Sequence, residues 1–219
     1  MTELEELKVH CNNCFGERKH TVLFTKSFRH DELEEESKRI QFSEIDKYLL
    51  VECKGCESIG LIIDHWSSAS GGDYIEQYPP KKIKKEPEWL FELMLSEMFL
   101  NPFKTDFLRE IYTALRNNTP RLAVIGMRAL LEQLMIENVG DNGSFVKNLN
   151  KFEEQGFLSK IQRAATEPLI EAGHASTHRG FKAKTEEIVY LLDVIENLIE
   201  SIYVNHKKAK KISVPPRKT

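Results

Sequence analysis

Tyr48-Leu49-Leu50-Val51-Glu52-Cys53-Lys54-Gly55-Cys56-Glu57-Ser58-Ile59-Gly60-Leu61-Ile62-Ile63 sets a thiol pair between two runs rich in β-branched and large apolar residues. The same C-x2-C form recurs at Cys11-Asn12-Asn13-Cys14, and no cysteine is left over. The turn inside such a pair aims both sulfurs at one ion, and two pairs complete a closed tetrahedral site. A third β-prone run, Thr21 to Phe28, follows the first pair. The spacing predicts an N-terminal zinc ribbon held by Cys11, Cys14, Cys53 and Cys56. Its zinc would be structural, because four thiolates leave no open position for a substrate water. Two disulfides, or redox chemistry at one pair, are the competing readings, and a reducing compartment disfavours the first. Between the pairs lie 38 residues, including the acidic run Asp31, Glu32, Glu34, Glu35 and Glu36. That run reads as a solvated loop or short helix.

Working outward, the chain has 219 residues, 41% hydrophobic and 30% charged, which suits one medium or two small soluble domains. No apolar run approaches the roughly 20 residues that span a bilayer. The acidic start, Met1 to Leu7, lacks the layout of a signal peptide, so a cytoplasmic protein with no membrane partner is expected. The net charge of −3 hides a basic tail. After His206 come Lys207, Lys208, Lys210, Lys211, Arg217 and Lys218 with no acid, leaving 25 basic against 34 acidic residues upstream. Such a tail is either a solvated terminus or a phosphate contact.

The β-like pattern stops around Gly71-Gly72 and Tyr78-Pro79-Pro80, and a lysine-rich linker leads to Pro87, a helix start. Trp89 to Leu100 is apolar on too many sides to face water, and must be buried in a bundle or against a partner. Helical spacing then predicts helices over Asp106 to Asn117, Thr119 to Asn138, Ser144 to Gln155, Leu158 to Thr177 and Thr185 to His206. The fourth is interrupted by Pro168 and Gly173; Thr119 and Pro120 supply the N-cap and first residue of the second. The expected fold is mainly α with a small β part. Its domains are a zinc ribbon over 1–80, a basic linker over 81–87, a helical bundle over 88–206 and a basic tail over 207–219.

Two polar groups interrupt the bundle's apolar faces. Arg121, Arg128 and Glu132, seven and four apart, share one arc of a helix. They are either a plain surface stripe or part of a site. The second group is Glu171-Ala172-Gly173-His174-Ala175-Ser176-Thr177-His178-Arg179-Gly180. His174 and His178 share a helix face with Glu171 one turn earlier. A second metal site, hydrogen-bonded structural histidines, and proton transfer beside arginine all fit this pattern. The small residues around the histidines permit a close helix approach, within one chain or between two.

The cysteine pairs, the Tyr78-Pro79-Pro80 linker, the helix from Thr119 to Glu132 and the segment Ala172 to Phe181 together resemble the DUF4145 family, most densely from Arg121 to Phe181. The resemblance implies a helical domain related to the HEPN class, association with bacterial restriction and anti-phage systems, and a homodimer. Many HEPN proteins are ribonucleases whose motif is an arginine, four to six residues and a histidine. With that histidine at His178 and the motif's polar residue at His174, Gly173 stands where the arginine belongs, and Glu171 does at the longest spacing. The resemblance thus implies action on or sensing of RNA or DNA. As an enzyme, His178 would be the general acid/base with His174 beside it. Arg128 and Arg179 would stabilise phosphate charge, and Glu132 would hold an arginine in place. The alternative is a catalytically silent dimeric adaptor for a defence-system partner protein or nucleic acid.

Overall fold

The computed structural model describes residues 5–35, 39–70, 73–98, 102–210 and 213. The chain divides into two units, Met1–Lys82 and Ile83–Thr219.

The first unit is larger in β structure than a ribbon. Strands β1 (Glu6–Cys11), β2 (Gly16–Leu33), β3 (Ile40–Cys53), β4 (Ile59–Ser67) and β5 (Asp73–Tyr78) form one antiparallel sheet in sequence order. This corrects the expected fold. A five-stranded sheet precedes a helical unit, so the protein is not a mainly α chain with a small zinc ribbon. Hydrogen-bonding partners drive the extension. β2 and β3 pair from His20↔Cys53 to Leu33↔Ile40, with register shifts between Val22 and Phe24 and between Glu32 and Leu33, carrying the hairpin into the acidic run. Phe28 packs edge-on against Tyr48 with ring centroids 5.8 Å apart. Asp31 accepts hydrogen bonds from Arg29 and Ser43, so Asp31 and Glu32 are strand residues rather than loop. Of the rest of that run, Glu36 lies outside the described residues, as do Gly71 and Gly72 at the expected boundary. The unit's apolar core is small: Val22, Leu49, Val51 and Ile62, with Leu7 and Val9 packed against it.

The second unit starts with α1 (Glu88–Glu97), which buries Trp89, Leu90 and Leu93. Its opposite side leaves Phe91, Leu95 and Met98 exposed; Phe99 and Leu100 lie outside the described residues. Helices α2 (Phe103–Arg116), α3 (Pro120–Val139), α4 (Phe145–Glu154), α5 (Lys160–His178) and α6 (Thr185–Ile199) follow, then a π-helical stretch (Glu200–Asn205) and α7 (His206–Ala209). The core is continuous across them, with Met127, Leu131, Leu134, Phe152, Leu169, Leu192 and Ile195 all fully buried. Two local expectations change. Thr119 stands at the N-cap of α3, but its hydroxyl donates back to the Ala114 carbonyl instead of capping. Helix α5 runs unbroken through Pro168 and Gly173, because flanking residues Thr166 and Leu169 are sealed in the core and packing outweighs local propensity. Of the basic tail, Lys211, Arg217 and Lys218 lie outside the described residues. Among the described residues no helix is long and apolar enough to cross a membrane.

Candidate metal centre and an arginine-histidine edge

Strands β1 and β3 both flank β2 and run antiparallel to it, so the turns that follow them emerge at the same end of the sheet. Cys11 and Cys53 are the last residues of β1 and β3, and Cys14 and Cys56 lie in the turns. The four sulfurs all fall within 4.8 Å of one another. Cys11 Sγ is 3.5 Å from Cys56 Sγ, and Cys14 Sγ is 3.9 Å from Cys53 Sγ. Both distances are far beyond the ~2.05 Å of a disulfide. They bracket the roughly 3.8 Å edge of a sulfur tetrahedron around zinc at a bond length near 2.3 Å.

The surroundings also fit a cation. In each turn a backbone N–H donates to the first sulfur: Cys14 N to Cys11 Sγ and Gly55 N to Cys53 Sγ, both at 3.4 Å. The residue after each pair, Phe15 or Glu57, has positive φ, the same tight geometry in both turns. A Cβ at position 55 would sit 3.3 Å from Cys14 Sγ, so glycine keeps the cradle open. Burial opposes ionisation of Cys11, but bonds from the Cys14 N–H, Ser58, Cys56 and Cys53 outweigh it and lower its pKa to about 6. The Cys14 thiol is pushed up to about 12 by its bond to Cys56, by burial and by Cys11. Sulfurs this close cannot all ionise side by side, and a bound cation relieves that conflict. The four cysteines can therefore hold a metal ion. Sequence reasoning missed Ser58, whose hydroxyl lies 3.4 Å from Cys11 Sγ and 3.2 Å from Cys56 Sγ. Its position two residues after Cys56 was the only signal.

In the helical unit, α3 and α5 pack side by side. A Cβ built on buried Gly173 would lie 2.5 Å from Arg128 Cδ and 2.6 Å from Arg128 Cβ. The Arg128 stem thus fills the space a side chain at 173 would need. Its guanidinium carbon sits 4.6 Å from the centroid of Phe145, and Nη1 lies 4.0 Å from Glu132 Oε2. Nε is buried without a hydrogen-bond partner among the described residues. Seven residues back, Arg121 Nε donates to the Gly180 carbonyl at 3.1 Å. Arg128 therefore lies against the C-terminal half of α5, and Arg121 against the turn that follows it. His174 and His178 are exposed on that half with ring centroids 4.6 Å apart. Among the described residues neither imidazole has a hydrogen-bond partner. Arg179 is ion-paired with Glu171. That pairing, and the absence of Glu171, His174 and His178 from any ligand cluster among the described residues, goes against a second metal site. Phe145, the platform under Arg128, was not singled out in the sequence, and nothing in its spacing marked it.

No curated protein matches the chain. Residues 109–214 match a family model described as a domain of unknown function. That segment holds both the arginine row and the histidine pair, while the cysteine cluster lies outside it. Over those residues the helical unit is similar to the DUF4145 domain.

Proposed function

We propose that the cysteine cluster holds a structural zinc ion, and that the helical unit acts on RNA at the edge formed by α3 and α5. The observation that carries the second part is Arg128 filling the side-chain space of Gly173. The Arg128 stem, from α3, lies where a side chain of α5 would begin, one residue from His174, and this supports reading Arg128 as the counterpart of the arginine that α5 lacks.

The chemistry this arrangement suits needs no metal at the site. The 2′-hydroxyl of RNA attacks the adjacent phosphorus as one imidazole, His178, takes its proton. Protonated His174 gives a proton to the departing 5′-oxygen. The P–O2′ bond forms, the P–O5′ bond breaks, and a 2′,3′-cyclic phosphate and a 5′-hydroxyl result. Arg128, steadied by Glu132 and Phe145, faces the phosphate charge, and Arg179 joins it by exchanging Glu171 for a phosphate oxygen. The defence association that the DUF4145 resemblance implies extends this proposal to a role in bacterial anti-phage defence.

One observation favours a silent adaptor instead. Arg121, Arg128 and Arg179 each already have a protein partner, as structural residues do. Incubating the zinc-loaded protein with total RNA separates the readings. Cleavage to cyclic-phosphate ends, lost in His178→Ala and His174→Ala at unchanged zinc content, is the expected result. Retention of RNA without cleavage would leave a sensor. Neither retention nor cleavage would sink the RNA reading and leave the adaptor.

A further inference from the structure

Beside the histidine edge, α5 and α6 enclose a groove of about 530 Å³. Ala172 and Ala175 of α5 line it, and their small side chains leave the hollow. Phe181, Ala183, Tyr190 and Leu191 complete a floor of aliphatic and aromatic groups, while Glu171, Glu186 and Glu187 stand around it. We infer that this groove binds a small organic cation with an apolar body.

Size, floor and charge point the same way. The volume lies within the ~300–1,000 Å³ range of small-molecule sites. An apolar body gains by covering Ala172 and the Phe181 and Tyr190 rings, which water now meets. Phe181 and Tyr190 remain 37% and 45% exposed, so their rings are open to a cation. The carboxylates select the sign. Glu171 is matched by Arg179, and Glu187 accepts the Lys184 N–H. Glu186 has no ion-pair partner among the described residues, and an ammonium ligand would supply one. An anion of the same shape would meet three carboxylates and one arginine. This inference does not depend on RNA chemistry at the other edge.

The probe is benzyltrimethylammonium, titrated into the full-length, zinc-loaded protein and followed by backbone amide NMR shifts. Saturable shifts should centre on Ala172, Ala175, Phe181 and Tyr190. Glu186→Gln removes one charge near the ligand and should weaken binding about three- to five-fold, the effect of one screened unit charge at close range in water. Ala172→Phe fills the groove and should abolish binding. Phenylacetate, an aromatic body of opposite charge, should bind at least about ten-fold more weakly than the cation, the sign reversal acting through more than one carboxylate. Equal binding of phenylacetate, unchanged affinity in Glu186→Gln, shifts centred elsewhere, or no saturation in the millimolar range would each overturn the assignment.

Discussion

Gly173→Ala adds a single methyl group where α5 packs against Arg128 of α3. Two opposing effects set its sign. Within a helix alanine is favoured over glycine by about 0.5–1 kcal/mol. Against this, the new Cβ would lie 2.5 Å from Arg128 Cδ, 2.6 Å from its Cβ and 3.0 Å from its Cγ, where ordinary contact begins near 3.4 Å. Arg128 can rotate its outer atoms away, but its Cβ is fixed to the α3 backbone. The helices must therefore part by nearly an ångström. Overpacking of this kind costs typically 1–3 kcal/mol, and an immovable neighbour puts it near the top. The net expectation is a loss of about 2 kcal/mol. At a urea slope of about 2 kcal/mol/M, the unfolding midpoint should fall by about 1 M. Buried Trp89 reports on this unit once Trp66 is replaced by Phe. Gly126→Ala is the control: its Cβ would meet Ile111 Cγ1 at 3.0 Å, a side chain that can adjust, so it should stay within about 1 kcal/mol of neutral. A Gly173→Ala protein as stable as its parent would refute the close packing of Arg128 on α5.

Elemental analysis should find one zinc per chain, lost in Cys53→Ser. Chelation should make the sheet unit protease-sensitive while the helical unit stays folded, since a core of four buried side chains is too small to stand alone. Burial holds Glu97 and Glu196 above the ordinary glutamate value of 4.5, although Lys104 and Lys84 pull them back. The folded state therefore binds their protons more tightly than the unfolded one. That stabilisation is complete below pH 4.5 and is lost as pH rises through the raised values, so Glu97→Gln/Glu196→Gln should flatten the fall in stability above that pH. We expect a homodimer that uses the exposed Phe91, Leu95 and Met98 face of α1; light scattering should report a dimer that Phe91→Lys/Leu95→Lys splits, and a wild-type monomer at micromolar concentration would count against it. Asn12 accepts the Lys82 N–H at 2.9 Å and donates to the Pro80 carbonyl at 3.0 Å; Asn12→Ala should destabilise the sheet unit by about 1–2 kcal/mol in thermal unfolding.

The helices were legible because each buries a stripe: Val124, Met127, Leu131 and Leu134 in α3, or Ile188, Leu191, Leu192 and Ile195 in α6, recur at helical spacing and are buried. The sheet was legible only where one face is covered. The outer half of β2, from Arg29 to Glu32, is exposed on both faces, so no burial requirement writes alternation into it, and charge there reads as loop. β1 did carry a signal, since Glu6, Leu7, Lys8, Val9 and His10 alternate polar and apolar. It is short, and its pairing with β2 depends on partners distant in sequence. The cysteine centre was the easiest part to read, because two matched pairs can share one ion. Its supporting groups were not, because a lone serine or glycine beside a cysteine pair is common, and only the placed Ser58 hydroxyl and the missing Cβ at Gly55 show their part.

The histidine edge was harder to read for a related reason. The motif that the family resemblance implies, followed along α5 alone, has Gly173 at its arginine position and ends there. Two sequence anomalies belonged together. A glycine well inside a helix forgoes roughly 0.5–1 kcal/mol relative to alanine, which calls for a reason in packing. An arginine on a largely apolar helix, such as Arg128 between buried Met127 and Leu131, calls for one as well. Each supplies the other's reason: the missing Cβ at 173 is what lets the Arg128 stem lie against α5. Replacing Gly173 with arginine would not restore a motif, because its side chain would begin inside Arg128. The pair is separated by 45 residues of sequence and joined only by the packing of α3 on α5, so neither helix read singly could have disclosed it.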